Sequence, residues 1–276
     1  MQQARQPIGV FDSGYGGLTV LKDIVAKLPE YDYIYMGDNA RAPYGNRSFE
    51  TVYHYTLQCV KWFFQQGCPL VILACNTASA KALRTIQQND LPNIDSKKRV
   101  LGVIRPSTEM IGGLSKCKSV GILATNGTVQ SQSYVIEINK FFPDVHVSQE
   151  ACPMWVPLIE NGEHLGHGAD FFIKKNIREL LAKDPLMDTV LLACTHYPIM
   201  LKKIQEYMPV DVAIVSQGSI VADSLAVYLE RHTELEEQLS KNGVRSFYTT
   251  DATEDFDKHA ITFFGSEVHS QHLELE

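Results

Sequence analysis

Two stretches of the chain repeat one pattern, and that repetition constrains the fold more than any other feature. The first is Val71-Ile-Leu-Ala-Cys-Asn-Thr-Ala-Ser-Ala80, the second Val190-Leu-Leu-Ala-Cys-Thr-His-Tyr-Pro-Ile199. Each places an apolar run before a cysteine and hydrogen-bonding side chains after it, followed by helix-compatible sequence. A short apolar run that ends this way reads as a buried parallel strand feeding a helix. Cys75 and Cys194 are therefore expected at the carboxyl ends of two strands, where open α/β sheets place their ligands. A cysteine at a helix N-terminus has its thiolate favoured by unpaired N–H groups and by the helix dipole. A single such cysteine is more often structural; two in matched surroundings point to chemistry.

The rest of the chain repeats in step with them. Pro7–Phe11 reads as a strand entering the glycine-rich loop Asp12-Ser-Gly-Tyr-Gly-Gly17, then a helix from Leu18 to Leu28. Ser119–Ala124 reads as its counterpart, with Thr125-Asn-Gly-Thr128 as the loop and a helix carrying Tyr134, Ile138 and Phe141 on one face. Gly9 precedes Cys75 by 66 residues, and Gly121 precedes Cys194 by 73. The order of parts predicts an α/β protein of two similar lobes with parallel sheets, related by a pseudo-twofold, their strand ends facing across a cleft. Arg105-Pro106 breaks regular structure and marks the first crossing between lobes, and the return falls near Ser216. The expected domains are 1–104 with 216–276, and 105–215. Leu91–Lys98 reads as a loop, Ala151–Gly162 as irregular because of Pro153 and Pro157, and Ser270–Glu276 as a frayed end.

Composition narrows the function. The net charge of −7 comes without a long Lys/Arg run, which argues against nucleic acid as a partner. No apolar run reaches membrane-spanning length, and Met1–Pro7 lacks a signal-peptide core, so a cytoplasmic location is expected. The six cysteines (59, 68, 75, 117, 152, 194) form no C-x-x-C pair, which fits a reducing compartment. Cys59, Cys68 and Cys117 read as structural.

The loops at the predicted strand ends offer two thiols, the Asp12 carboxylate, the His196 imidazole, hydroxyls and backbone N–H groups. The glycine loop has neither G-x-G-x-x-G spacing nor a Walker lysine, so nucleotide binding is weakly supported. Asp12 serves equally well as a cap or a functional group. Arg41 suits a carboxylate or the surface. Glu160, on sequence alone, reads as an exposed carboxylate. Four roles compete for the cysteines: a disulfide, a zinc site with His196, a non-catalytic clamp on an acidic metabolite, or a pair of acid/base groups. In the last, one thiolate takes a proton from a carbon and the opposite thiol returns one to the other face. Only this role explains the same residue in the same place of both halves. A free thiol pKa of about 8.5 means the thiolate needs help at neutral pH. Asp12 and His196 are the nearest proton partners for Cys75 and Cys194.

The segments Phe11-Asp-Ser-Gly-Tyr-Gly-Gly-Leu-Thr19, Ala42-Pro-Tyr-Gly45, Ala74-Cys-Asn-Thr-Ala-Ser79 and Ala193-Cys-Thr-His-Tyr-Pro198 resemble the glutamate racemases of the aspartate/glutamate racemase family. The resemblance covers most of the chain. Aspartate racemases share the cysteine pair but lack the Asp-Ser-Gly opening and the Thr-His-Tyr-Pro ending, which favours glutamate over aspartate. It implies two flavodoxin-like lobes, no cofactor and no metal, and a role in supplying D-glutamate for peptidoglycan. It further implies Cys75 and Cys194 as acid/base residues, Asp12 assisting Cys75, and His196 with Glu160 assisting Cys194. Substrate would be held by Asp12, Ser13, Pro43, Tyr44, Gly45, Asn76, Thr77, Thr195 and His196, with Thr125 and Thr128 nearby. Family members are often dimers, so a homodimer is expected. Ser107 departs from the glycine many members have there, which bears on the local hinge geometry alone.

Overall fold

The computed structural model describes residues 6–275; the readings that fall on Met1–Arg5 and on Glu276 lie outside the described residues. The ten strands are β1 Ile8–Asp12, β2 Tyr33–Gly37, β3 Leu70–Leu73, β4 Arg99–Gly102, β5 Ser119–Ala124, β6 His146–Ala151, β7 Thr189–Ala193, β8 Ala213–Val215, β9 Arg245–Thr249 and β10 Ser270–His272. They form two sheets, ordered β10-β9-β2-β1-β3-β4 and β6-β5-β7-β8. Every pairing is parallel. The second order repeats the β2-β1-β3-β4 portion of the first, so β1 corresponds to β5 and the cysteine strand β3 to β7. In each sheet the chain turns opposite ways from β1 or β5, which makes the gap beside β3 or β7 a switch point where ligands settle.

Parallel strands covered by helices on both faces need apolar residues throughout. β1, β2, β3, β5 and β7 are buried along their whole length. Two glycines let a helical layer approach closely. A Cβ at Gly9 would lie 2.7 Å from Phe63 Cδ1, and one at Gly121 2.9 Å from Leu180 Cδ2 of the helix His167–Leu181. Phe63 belongs to the Phe49–Gln65 helix, which Ser48 caps by accepting the Thr51 N–H at 3.1 Å, a contact worth about 1 kcal/mol. Among the described residues no helix is long and apolar enough to cross a membrane.

Several local expectations are corrected. Arg105-Pro106 lies inside a helix, Ile104–Leu114, and Pro157 inside another, Trp155–Glu160. Each proline stands in the first turn, where its missing N–H would have had no helical partner, so neither breaks the helix. Thr125–Thr128 is not a loop: Thr125 caps the helix Asn126–Ser131, accepting the Thr128 N–H at 3.4 Å. The 91–98 segment opens with a short helix, Leu91–Ile94. Within the tail, Ser270–His272 pairs with β9 as the edge strand, and Leu273 is buried behind it. A three-residue polar strand carries too little periodicity to be read from sequence.

Candidate active site

The register of the sheets sets the site. Phe11 pairs with Leu73 and Ala124 with Ala193, so Asp12 and Cys75 emerge side by side from one sheet, Thr125 and Cys194 from the other. Between them is a cavity of about 660 Å³, a volume that includes open solvent at its mouth. Both thiols line it, as do Ser13, Pro43, Tyr44, Gly45, Asn76, Thr77, Thr125, Glu160, Thr195 and His196. Asp12 and Thr128 are not on its wall: both are buried just behind it.

Cys75 begins the helix Asn76–Lys81, and its Sγ accepts the Ala78 N–H at 3.4 Å. Its thiol is 3.5 Å from the Ser13 hydroxyl, to which it donates. Burial pushes this thiol up to about 12, and the charge of Asp12 pushes it further than Ser13 and the Ala78 N–H can offset. Asp12 itself is raised, because burial outweighs the favourable charge of His196 and the hydrogen bonds it accepts. Those bonds come from the Gly14 N–H at 3.0 Å and the Thr195 hydroxyl at 3.3 Å. A neutral thiol beside a carboxyl that readily takes a proton is the result.

Cys194 differs. No α-helix begins at it; Tyr197–Met200 is a 3₁₀ turn, so the expected helix N-terminus is missing on this side. A histidine takes its place. His196 is buried, which alone would lower its pKa, but hydrogen bonding and charge from Cys194 and Glu160 raise it to about 10. Its Nε2 lies 2.9 Å from Glu160 Oε1. The sequence reading of Glu160 as an exposed carboxylate is corrected: the last residue of its helix, it turns inward to pair with the imidazole. A Cβ at Gly16 would lie 2.3 Å from both His196 Nδ1 and Thr195 Oγ1, so only glycine lets the Asp12–Gly17 loop seat against these residues.

The lobes also touch along the rim. The Gly127 N–H donates to the Gly45 carbonyl at 2.8 Å, and the hydroxyls of Thr77, Thr125 and Thr128 run in a chain at 3.0 and 3.2 Å. Ala42-Pro43 is cis. Two side chains are already committed. The Tyr44 hydroxyl donates to Asp38, which also receives Arg41 at 2.7 Å. Asn76 donates to Gln217 Oε1 at 2.7 Å and accepts from the Tyr134 hydroxyl at 2.5 Å. Gln217 in turn donates to Tyr134 and Ser107, each at 2.7 Å. Tyr44 and Asn76 therefore face the cavity with ring and backbone rather than with free polar groups.

The tail helix expected near Glu254–Phe264 is present as Thr253–Phe264, but sequence reasoning missed Gln217, Asn126, Cys152 and Phe263 as members of the site. Asn126 and Cys152 line the cavity, and Phe263 meets the His196 ring edge-on at 5.2 Å. Gln217 reads locally as one polar residue before a helix; Asn126 stood within the matched Thr125–Thr128 segment and could have been named from it. Among the described residues all six cysteines are free, and no group of three or more His, Cys, Asp or Glu could hold a metal ion.

Comparison with known proteins agrees with this geometry. Residues 8–224 match the Asp/Glu/Hydantoin racemase family. A glutamate racemase of Persephonella marina is 35% identical over 97% of both chains. Among solved structures, a glutamate racemase of Francisella tularensis in complex with D-glutamate superposes with a TM-score of 0.88 at 32% identity, covering 99% of each chain. A glutamate racemase isoform of Bacillus anthracis gives the same TM-score of 0.88 at 31% identity, covering 99% of this chain and 98% of its own. The matched cysteine strands, the shared cavity and these likenesses over the full chain lead to one conclusion: the chain belongs to the Asp/Glu/hydantoin racemase family, on its glutamate racemase branch.

Proposed function

We propose that the protein interconverts L- and D-glutamate by a two-thiol mechanism, supplying D-glutamate for peptidoglycan. The observation that carries this reading is that two cysteines from corresponding strands open onto one small cavity, each with its own proton partner. Cys194, acting as the base beside His196, takes the α-proton of L-glutamate. The Cα–H bond breaks, an S–H bond forms, and the electron pair moves into the substrate carboxylate. The Cys75 thiol then gives its proton to the opposite face of Cα and becomes the thiolate. From D-glutamate the same steps run backwards, with Cys75 as the base. When D-glutamate is the substrate, Asp12 first accepts the Cys75 proton so that the thiolate can act as base, and Glu160 holds His196 charged. The assignment of each thiol to one enantiomer rests on the family resemblance.

The wall supplies neutral donors for two carboxylates: the hydroxyls of Ser13, Thr77 and Thr125, and backbone N–H groups of Gly45 and Asn76, while the Thr195 hydroxyl is turned to Asp12. The mechanism assigns no step to a metal or cofactor. In the same reading, residues 1–104 with 216–276 form one lobe and 105–215 the other, the tail strands β9 and β10 extending the first sheet. A homodimer is proposed from the family resemblance alone, and a cytoplasmic location from the sequence reading.

The test is the loss of optical activity from L-glutamate with purified protein, repeated with a chelator and with L-glutamine. Decay to a racemic mixture with glutamate, unchanged by the chelator and absent with glutamine, is expected. No optical change with glutamate, or a comparable kcat/KM for glutamine, would overturn the reading.

A further inference from the structure

Glu160 is held at both of its ends, and only one of the two contacts belongs to the chemistry above. Its carboxylate takes His196 at 2.9 Å. Its backbone carbonyl, left without a helical partner as the last of its helix, lies 3.0 Å from His259 Nε2. His259 sits on the tail helix Thr253–Phe264, which follows β9 of the six-stranded sheet, whereas the Glu160 helix follows β6 of the other. The His259 ring is itself fixed: it stacks on Tyr15 with centroids 4.2 Å apart and planes at 15°. Tyr15 belongs to the glycine loop beside Asp12 and donates its hydroxyl to Asp255 Oδ2 at 2.5 Å. One turn on, Phe263 meets the imidazole of His196 edge-on. A single imidazole thus joins the glycine loop, the tail helix and the helix end that aims Glu160.

A partly exposed carboxylate on a six-residue helix has several rotamers open to it, and a fixed backbone narrows them. We propose that His259 is a positioning residue: by anchoring the Glu160 carbonyl across the two lobes, it orients the Glu160 carboxylate on His196 and so sets the proton partner of Cys194. The inference rests on the two-thiol reading above. The groups that face His196 are Cys194 on its own strand end, Asp12 from β1 and Glu160; Phe263 adds an apolar edge. Of the two charges that hold the imidazole protonated, the Glu160 carboxylate is the one His259 controls.

The test uses His259→Phe, which keeps the stack on Tyr15 and removes the donor, and His259→Gln, whose amide can donate from a similar place. His259→Phe is expected to lower kcat for glutamate about tenfold and to move the high-pH limb of the kcat profile down by about one unit, because an imidazolium with a misplaced carboxylate loses its proton sooner. His259→Gln is expected to recover activity to within about threefold of the unaltered protein. Combined with Glu160→Gln, His259→Phe should add less than twofold to the loss from Glu160→Gln alone. The inference is overturned if His259→Phe scales the profile without moving its limb, if its loss multiplies fully with that of Glu160→Gln, or if His259→Gln is no better than His259→Phe. Failure of the unaltered protein to racemise glutamate would instead overturn the two-thiol reading itself.

Discussion

Cys75 and Cys194 end corresponding strands, yet the groups gathered around them are opposite in kind. Cys75 has the better helix: its Sγ takes an N–H of the first turn. It also has the less favourable neighbour, a buried carboxyl, and burial with that carboxyl keeps it a thiol, up at about 12. Cys194 has no α-helix start but has His196, raised to about 10 by its bonds to the thiol and to Glu160 against the effect of burial. A repeated fold thus supplies two identical side chains in mirrored places, and the unmatched residues Asp12 and His196 divide their roles. Under the proposed mechanism, this asymmetry gives each thiol a different proton partner for a reaction across two faces of one carbon.

Four substitutions test that division, the largest effect first. Cys75→Ala and Cys194→Ala should each reduce racemisation by about 10³-fold or more, since general acid–base groups are worth roughly 10²–10⁴-fold and each turnover needs both. Near-normal turnover in either variant would break the pairing. His196→Asn should lower kcat by about 10–100-fold, unequally in the two directions, with KM values shifting in compensation because the equilibrium constant stays at one. Equal losses would make His196 a structural residue. Asp12→Asn should act on Cys75 with the opposite sign from what loss of a general base first suggests. Removing the carboxylate removes a cause that raises the thiol, so the pH midpoint for alkylation of Cys75, read in a Cys194→Ala background, should fall by about one unit. A midpoint that rises would show that Asp12 does not oppose the thiolate.

A smaller effect concerns the seam beside Cys75. Gln217→Ala would leave the Asn76 amide and the Tyr134 hydroxyl short of a partner in a buried site. Such losses cost about 1–3 kcal/mol, or about 2–4 °C of melting temperature per kcal/mol in a chain of this size. A melting temperature unchanged within a degree would mean that the ring of bonds is replaced by water at no cost.

The strands and their cysteines were legible because buried parallel strands write themselves as unbroken apolar runs, and the matched loops then followed from spacing. The prolines misled, because a proline's cost depends on its place in the helical turn, and sequence alone does not say where Ile104–Leu114 or Trp155–Glu160 begins. The roles of individual polar groups were the least legible. Tyr44 and Asn76 sit in matched motifs and face the cavity, but the Tyr44 hydroxyl is bonded to Asp38, six positions earlier, and the Asn76 amide to Gln217 and Tyr134, both far along the chain. His259 and Phe263 meet the His196 and Glu160 region from a tail helix more than sixty positions further on, with no local pattern to mark them.

The isotope content of the first product tests the two-thiol account most directly. L-glutamate is incubated in D₂O, the reaction is stopped early, and both enantiomers are separated and weighed by mass spectrometry. A proton taken by one thiol and a different one returned by the other predicts D-glutamate carrying deuterium at Cα, while unreacted L-glutamate stays largely protiated. Early D-glutamate that retains mostly the substrate's own α-hydrogen would contradict it, because a single base would then have carried the same proton between the two faces.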